Sequence, residues 1–134
     1  MSAPTHSSND PCPCGSRDSY AACCGRFLSG AALPETAEQL MRSRYTAYVG
    51  ADAGYLLATW HSRTRPARLN LDDRVKWLGL KVRSVHAGGP TDDTGTVSFV
   101  ARHKLGGRAH RLEETSRFVR EHGRWVYLDG DVGD

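Results

Sequence analysis

A chain of 134 residues with 39% apolar and 25% charged side chains has room for one ordinary domain and a small appendage. Its composition excludes a disordered, collagen-like or coiled-coil chain. The net charge of +3 is too small to establish nucleic-acid binding. No apolar run approaches the roughly 20 residues of a membrane-spanning helix, and the polar stretch from Met1 to Asp10 has no secretory apolar segment. A cytoplasmic protein with no membrane partner is expected.

Residues 1–11 read as a flexible leader. The next stretch holds all four cysteines, Cys12, Cys14, Cys23 and Cys24. Bonding within either close pair is strained, and lasting cross-paired disulfides are rare without secretion. Four thiolates around one tetrahedral Zn2+ suit both spacing and compartment; a redox or disulfide role is the alternative. Such a zinc, one per chain, is structural, because four protein ligands leave no open position for substrate. Pro13 stiffens the first ligand turn, and Gly15 lets backbone N–H groups turn toward sulfur. Gly25 is read as ending the second ligand segment. Residues 12–34 are thus a zinc knuckle and a linker. A unit this small has too little apolar surface for a core of its own, so metal should supply its folding energy. Metal removal should then melt residues 12–25 and leave the remainder intact.

Residues 35–134 read as a second domain. A helix opens at Glu35-Thr36, with Thr36 as N-cap and Gln39 completing a capping box. Leu40, Tyr45, Ala47, Tyr48 and Val49 form its apolar stripe, and Gly50 stops it. A second helix starts at Asp52 and buries Tyr55, Leu56, Leu57 and Trp60, and Ser62 to Pro66 breaks it. Leu69 to Lys76 reads as a short third helix. The period then changes to two. Leu78, Leu80 and Val82 mark a first strand, and Ala87 to Gly95 is a breaker cluster. Thr96 to Leu105 forms a second strand, with Val97, Phe99 and Ala101 on one face. A Gly106-Gly107 turn leads to a third, Arg108 to Arg120, in which Leu112, Glu114, Ser116 and Phe118 share a face. A His122-Gly123 turn leads to a fourth, Arg124 to Asp129, with Trp125 and Tyr127 opposite Val126 and Leu128. Helices followed by an antiparallel meander predict an α+β fold, helices packed on one face of about four strands.

Two resemblances overlie this reading. Cys12-Pro13-Cys14-Gly15-Ser16, Tyr20 and Cys23-Cys24-Gly25 resemble the SEC-C zinc motif, also found at the C-terminal tail of the bacterial preprotein translocase ATPase. The chain departs from it at Arg17, usually glycine, and at Asp18, Ser19, Ala21 and Ala22, where lysines usually stand. The resemblance therefore implies zinc binding, without the basic face that contacts an acidic chaperone in the translocase. The element order is similar to the nuclear transport factor two-like fold, a curved sheet wrapped around helices into a cone. From residue 12 to residue 130 the chain resembles the uncharacterised, bacterial YchJ-like family. The stretches carrying this are Leu40-Met41-Arg42-Ser43-Arg44-Tyr45, Tyr55-Leu56, Thr59-Trp60-His61, Trp77-Leu78-Gly79-Leu80, Val97-Ser98-Phe99-Val100-Ala101-Arg102, Ser116-Arg117-Phe118 and Trp125-Tyr127-Asp129-Gly130. Many members of that family add a second SEC-C motif at the C-terminus. This sequence has none, so no bivalent role is expected.

The mouth of such a cone is where function would sit. Candidate lining residues are Arg42, Arg44, Tyr45, Trp60, His61, Glu114, Ser116 and Arg117. Arg42 and Tyr45 share a helix face, so Arg42 could hold an anion capped by Tyr45; the alternative is a structural Arg42–Glu114 salt bridge. His61 is a general-base candidate, or a helix-terminal histidine held by the carbonyl dipole. Ser116 has no activating neighbour in sequence. No nucleophile elbow, P-loop or dinucleotide-binding fingerprint is present. The leading reading is a non-catalytic binding module: the knuckle docks on a protein partner and the cone holds a small ligand or a homodimer partner. The alternatives are a small isomerase- or hydrolase-type enzyme using His61 or Glu114, and an RNA- or ribosome-associated factor. The last is motivated by Arg42 to Arg83, where basic residues outnumber acidic ones by six, with Tyr45, Trp60 and Trp77 interleaved.

Overall fold

The computed structural model describes residues 9–133. Three helices, α1 (Cys24–Leu28), α2 (Ala37–Val49) and α3 (Ala53–Ala58), precede four strands, β1 (Lys76–Ala87), β2 (Thr94–Leu105), β3 (Arg108–Glu121) and β4 (Arg124–Gly133). The strands form one antiparallel sheet in the order β1-β2-β3-β4. This is the α+β cone expected of a nuclear transport factor two-like domain. Among the described residues no helix is long and apolar enough to cross a membrane.

Local chemistry sets most boundaries. The Thr36 side chain accepts from Gln39 N–H at 3.1 Å, while Gln39 Oε1 accepts from Glu35 N–H at 2.7 Å; the capping box closes one residue upstream of its usual form. Asp52 caps α3 through Tyr55 N–H. Gly106 and Gly107, and His122 and Gly123, all have positive φ. Two consecutive left-handed residues make the two-residue turns whose twist matches that of the strands they join.

Along β2 and β3 the two-residue period holds. Val97, Ala101 and Phe118 face α2 and join Leu40, Met41, Tyr45 and Trp125 in the core. In β1 it breaks, because a bulge lies between Trp77 and Gly79. The extra residue rotates Leu78 outward, leaving it 49% exposed, and brings Trp77 onto the concave face against Tyr45.

Several sequence expectations need correction. The segment 69–75 is not helical. Asp72 accepts from Arg74 N–H and its carbonyl accepts from Val75 N–H, so a turn takes the donors a helix would have used. Helix α3 ends at Ala58, before Trp60. There the chain crosses to β4: Tyr127 N–H donates to the Thr59 carbonyl and His61 N–H to the Tyr127 carbonyl, each at 2.8 Å. Gly25 does not end the ligand segment but lies inside α1. Residues 1–8 of the expected leader lie outside the described residues; Pro11 pairs with Ser19 in a β-bridge.

The turn between β1 and β2 docks on the start of α2, where Ala37 N–H donates to the Gly88 carbonyl at 2.9 Å. Gly88 has φ +78°, and a Cβ there would stand 2.7 Å from Ala37 Cβ. Gly88→Ala should therefore cost about 1–3 kcal/mol in urea unfolding. Gly79→Ala, which meets open space, should change stability by under about 0.5 kcal/mol.

Candidate functional site

The knuckle brings its four cysteines together from two short turns. Gly15 N–H bonds the Cys12 carbonyl at 3.1 Å, folding Cys12 and Cys14 to one side. Cys23 and Cys24 stand at the start of α1. The Tyr20 carbonyl accepts from Gly25 N–H at 2.8 Å, and a Cβ on Gly25 would meet the Tyr20 ring at 2.9 Å. That contact explains why tyrosine and glycine accompany the cysteines. All four sulfurs lie within 4.8 Å of one another, with Cys14–Cys23 at 3.7 Å and Cys23–Cys24 at 3.9 Å. All are free thiols, far beyond the roughly 2.05 Å of a disulfide bond.

The electrostatics of the cluster call for a cation. Hydrogen bonds from Cys12 and Cys24 hold the Cys14 thiol well below its ordinary value. Hydrogen bonds to Cys12 and Cys14 push Cys24 far up. Burial pushes Cys23 up to about 11. One thiolate forms at the expense of its neighbours, and only a metal ion lets four ionise together. The cluster can hold such an ion with all positions filled by protein.

The knuckle packs into the main core. Cys12, Cys14 and Cys24 belong to the same core as Leu40, Met41 and Tyr45 of α2. Arg42 Nη1 donates to the Cys14 carbonyl at 2.8 Å, and Thr46 Oγ1 lies 3.8 Å from Cys12 Sγ.

On the other side of α2 lies a cavity of about 250 Å³. Its walls are aromatic: Tyr45, Tyr48, Trp60, Trp77, Phe99, Phe118 and Tyr127. Arg44, Glu114 and Ser116 supply charge and polarity. Arg44 is only 6% exposed. Its Nη1 donates to the Leu56 carbonyl and to Thr59 Oγ1, each at 2.7 Å. Its guanidinium carbon lies 5.0 Å from the Trp60 ring centroid and 4.8 Å from that of Tyr127. Burial holds its pKa below the ordinary value. Glu114 Oε2 accepts from Ser116 Oγ at 2.6 Å and from Tyr127 OH at 3.3 Å. Burial, then the Glu114 charge, pushes the Tyr127 phenol up.

Of the residues singled out in the sequence, Arg44, Tyr45, Trp60, Glu114 and Ser116 line this cavity. Arg42, His61 and Arg117 do not. Arg42 stands about 200° around the helix from Arg44; it pairs with Glu38 at 2.9 Å, not with Glu114. His61 lies beyond the end of α3, so no helix dipole holds it. Its Nε2 is 3.5 Å from Glu121, and its Nδ1 accepts from Arg63 N–H. Arg117 alternates with Ser116 and so takes the opposite sheet face, paired with Asp129 and Asp131. Tyr48, Trp77, Phe99, Phe118 and Tyr127 were missed as lining residues. The inward phase of the strands places Phe99, Phe118 and Tyr127; Trp77 is there only because of the bulge.

Comparison with known proteins agrees with this architecture. The family model described as "YchJ, middle NTF2-like domain" matches residues 36–130, and the SEC-C motif matches residues 9–26. A UPF0225 protein of Streptomyces coelicolor is 54% identical, covering 92% of this chain and 97% of its own length. A UPF0225 protein of Chromobacterium violaceum is 55% identical over 90% and 92%. The solution structure of a SEC-C motif containing protein from Rhodopseudomonas palustris superposes with a TM-score of 0.81 at 32% identity, covering 93% of this chain and 100% of that one. A crystal structure of a SEC-C motif containing protein from Psychrobacter arcticus, at 24% identity, shares the fold with a TM-score of 0.76, covering 95% and 85%.

Because the cysteines are part of the main core, stripping metal under reducing conditions should destabilise the whole chain and not residues 12–25 alone. The expected loss is about 4 kcal/mol or more, the value for a ligand held at a thousand times its Kd. Urea unfolding followed by Tyr45–Trp77 near-UV dichroism should show a lower midpoint. An unchanged midpoint with a melted knuckle would restore the two-unit expectation.

Proposed function

The chain belongs to the YchJ-like UPF0225 family, a SEC-C motif joined to a nuclear transport factor two-like domain, and on that premise we propose that it is a non-catalytic small-ligand binding protein stapled by structural zinc. The observation that carries the reading is the aromatic cavity lying against the same helix that anchors the cysteine cluster.

Zinc is favoured by geometry. Four sulfurs at about 2.3 Å from one Zn2+ in a tetrahedron stand about 3.8 Å apart, and two of the sulfur pairs stand at 3.7 and 3.9 Å. Cys12, Cys14, Cys23 and Cys24 would hold the ion, which supplies folding energy and no open coordination site. Its role is internal. Three of its four cysteines are buried, and the knuckle's exposed residues include Arg17, Asp18, Ala21, Ala22 and Arg26, a mixed surface with little for a charged partner to recognise. The staple thus replaces the docking handle as the knuckle's contribution.

Two features favour binding over catalysis. Among the described residues the cavity lining contains no histidine or cysteine. Ser116 Oγ donates to the Glu114 carboxylate, a base far weaker than the imidazole or amine that usually activates a serine. The RNA reading loses support because the aromatics interleaved in its basic segment, Tyr45, Trp60 and Trp77, line the cavity, and three of its basic residues are engaged within the fold. Arg42 is bonded to the cysteine loop, Arg44 is buried, and Arg74 pairs with Asp72.

The test is a fragment screen by NMR on the reduced, zinc-loaded chain. Ligands should shift the ring resonances of Tyr45, Trp60 and Trp77, raise the melting temperature, and be recovered unchanged. A screen that moves none of these resonances contradicts the cavity reading. Chemical conversion of a bound fragment would shift the assignment to an enzyme with Glu114 as its base.

A further inference from the structure

Arg44 is a buried cation without a carboxylate partner. No ion pair reaches it among the described residues, and its recorded hydrogen bonds leave only from Nη1, both to neutral oxygens. Its Nε and Nη2 therefore lack acceptors, in a residue that lines the cavity and is only 6% exposed. A guanidinium placed this way keeps donor capacity that opens to the cavity. The indole Nε1 of Trp60, another lining residue, is buried with no hydrogen-bond partner. Leaving a buried donor unpaired is costly, so the Trp60 indole beside the open edge of the Arg44 guanidinium points to an acceptor supplied from outside the chain.

The rest of the cavity narrows the ligand. One arginine matches one negative charge, whereas a phosphate dianion would call for a second cation. Glu114, which also lines the cavity, already offsets part of the Arg44 charge, so at most a single negative charge is tolerated, and a ligand that also gives Glu114 a donor fits best. The volume of about 250 Å³ lies below the roughly 300–1,000 Å³ of drug-sized sites, so the ligand is small. Aromatic walls in edge and tilted contact, such as Tyr45 and Tyr48 against Trp77, suit a flat ring. Glu114 Oε2 already accepts from Ser116 and Tyr127, while Oε1 has no recorded donor among the described residues. A ring N–H or O–H would find an acceptor there.

We propose that the cavity binds a small aromatic carboxylate, with Arg44 as its anion anchor and the aromatic walls receiving its ring. A bidentate pair with a planar guanidinium is the geometry a carboxylate recognises best. This rests on the small-ligand reading and gives it a chemical class.

The experiment titrates the full zinc-loaded chain with matched probes: benzoate and 4-aminobenzoate against benzamide and 4-aminobenzamide. Binding is followed through the Trp60 and Trp77 resonances. Both acids should bind at least roughly tenfold more tightly than their amides, the ratio expected for one charge-assisted hydrogen bond. Arg44→Met, which keeps the length and apolar stem, should abolish that preference while amide binding persists. Amides binding as well as acids would overturn the anion anchor and leave the small-ligand reading standing. If no probe moves a cavity resonance, both fall. Arg44 also ties α2 to the end of α3, so if Arg44→Met does not fold, the acid-against-amide ratio on the unaltered chain decides the matter.

Discussion

The hydrogen bond from Arg42 Nη1 to the Cys14 carbonyl, 2.8 Å long, spans 28 residues of sequence and ties the cysteine loop to helix α2. With it come Cys12 against Thr46 and the burial of three cysteines beside Leu40, Met41 and Tyr45. Without that attachment α2 would present one side to water. With it, Ala37, Leu40, Met41, Ser43, Arg44, Tyr45, Thr46 and Ala47 are all buried, and the helix is enclosed nearly all round. Such a helix carries no clean apolar stripe. Ser43 is satisfied locally by the Leu40 carbonyl and Tyr55 OH and Thr46 by a cysteine sulfur, whereas Arg44 is held through Nη1 alone by the end of α3.

Enclosure of α2 also couples the two chemical features of the chain. The cysteine cluster grips one side of the helix and the cavity opens on the other, and Tyr45 belongs to both: it packs in the core with the cysteines and lines the cavity. A metal held by the cluster would act as a packing element. It would fix the helix that carries Arg44 and take no part in the chemistry of the cavity.

Much of this was legible in the sequence, for identifiable reasons. Cysteine spacing with proline, glycine and tyrosine at fixed offsets reports local geometry, and the cluster assembled as that spacing implied. Thr36, Asp52 and the two positive-φ turns are likewise local signals, so the helix starts and hairpins fell where they were read. The failures are tertiary. The knuckle looked independent because nothing local announces that Arg42 will reach back to it. Arg42 was chosen over Arg44 as the anion anchor because Tyr45 stands three residues away, although a turn of about 200° separates the two arginines. A bulge reversed the facing of Trp77 and Leu78 in a strand that looked regular. The stretch from Leu69 to Lys76 reads as a helix in the sequence, while Asp72 is positioned to make a turn.

The central claim is that a closed tetrathiolate metal site holds the core together. The most direct test is the zinc-edge X-ray absorption spectrum of protein purified without added metal. The account predicts zinc surrounded by four sulfurs at about 2.3 Å and no lighter neighbour. An oxygen or nitrogen in the coordination sphere, or protein that carries no zinc while keeping the same folded stability, would contradict it.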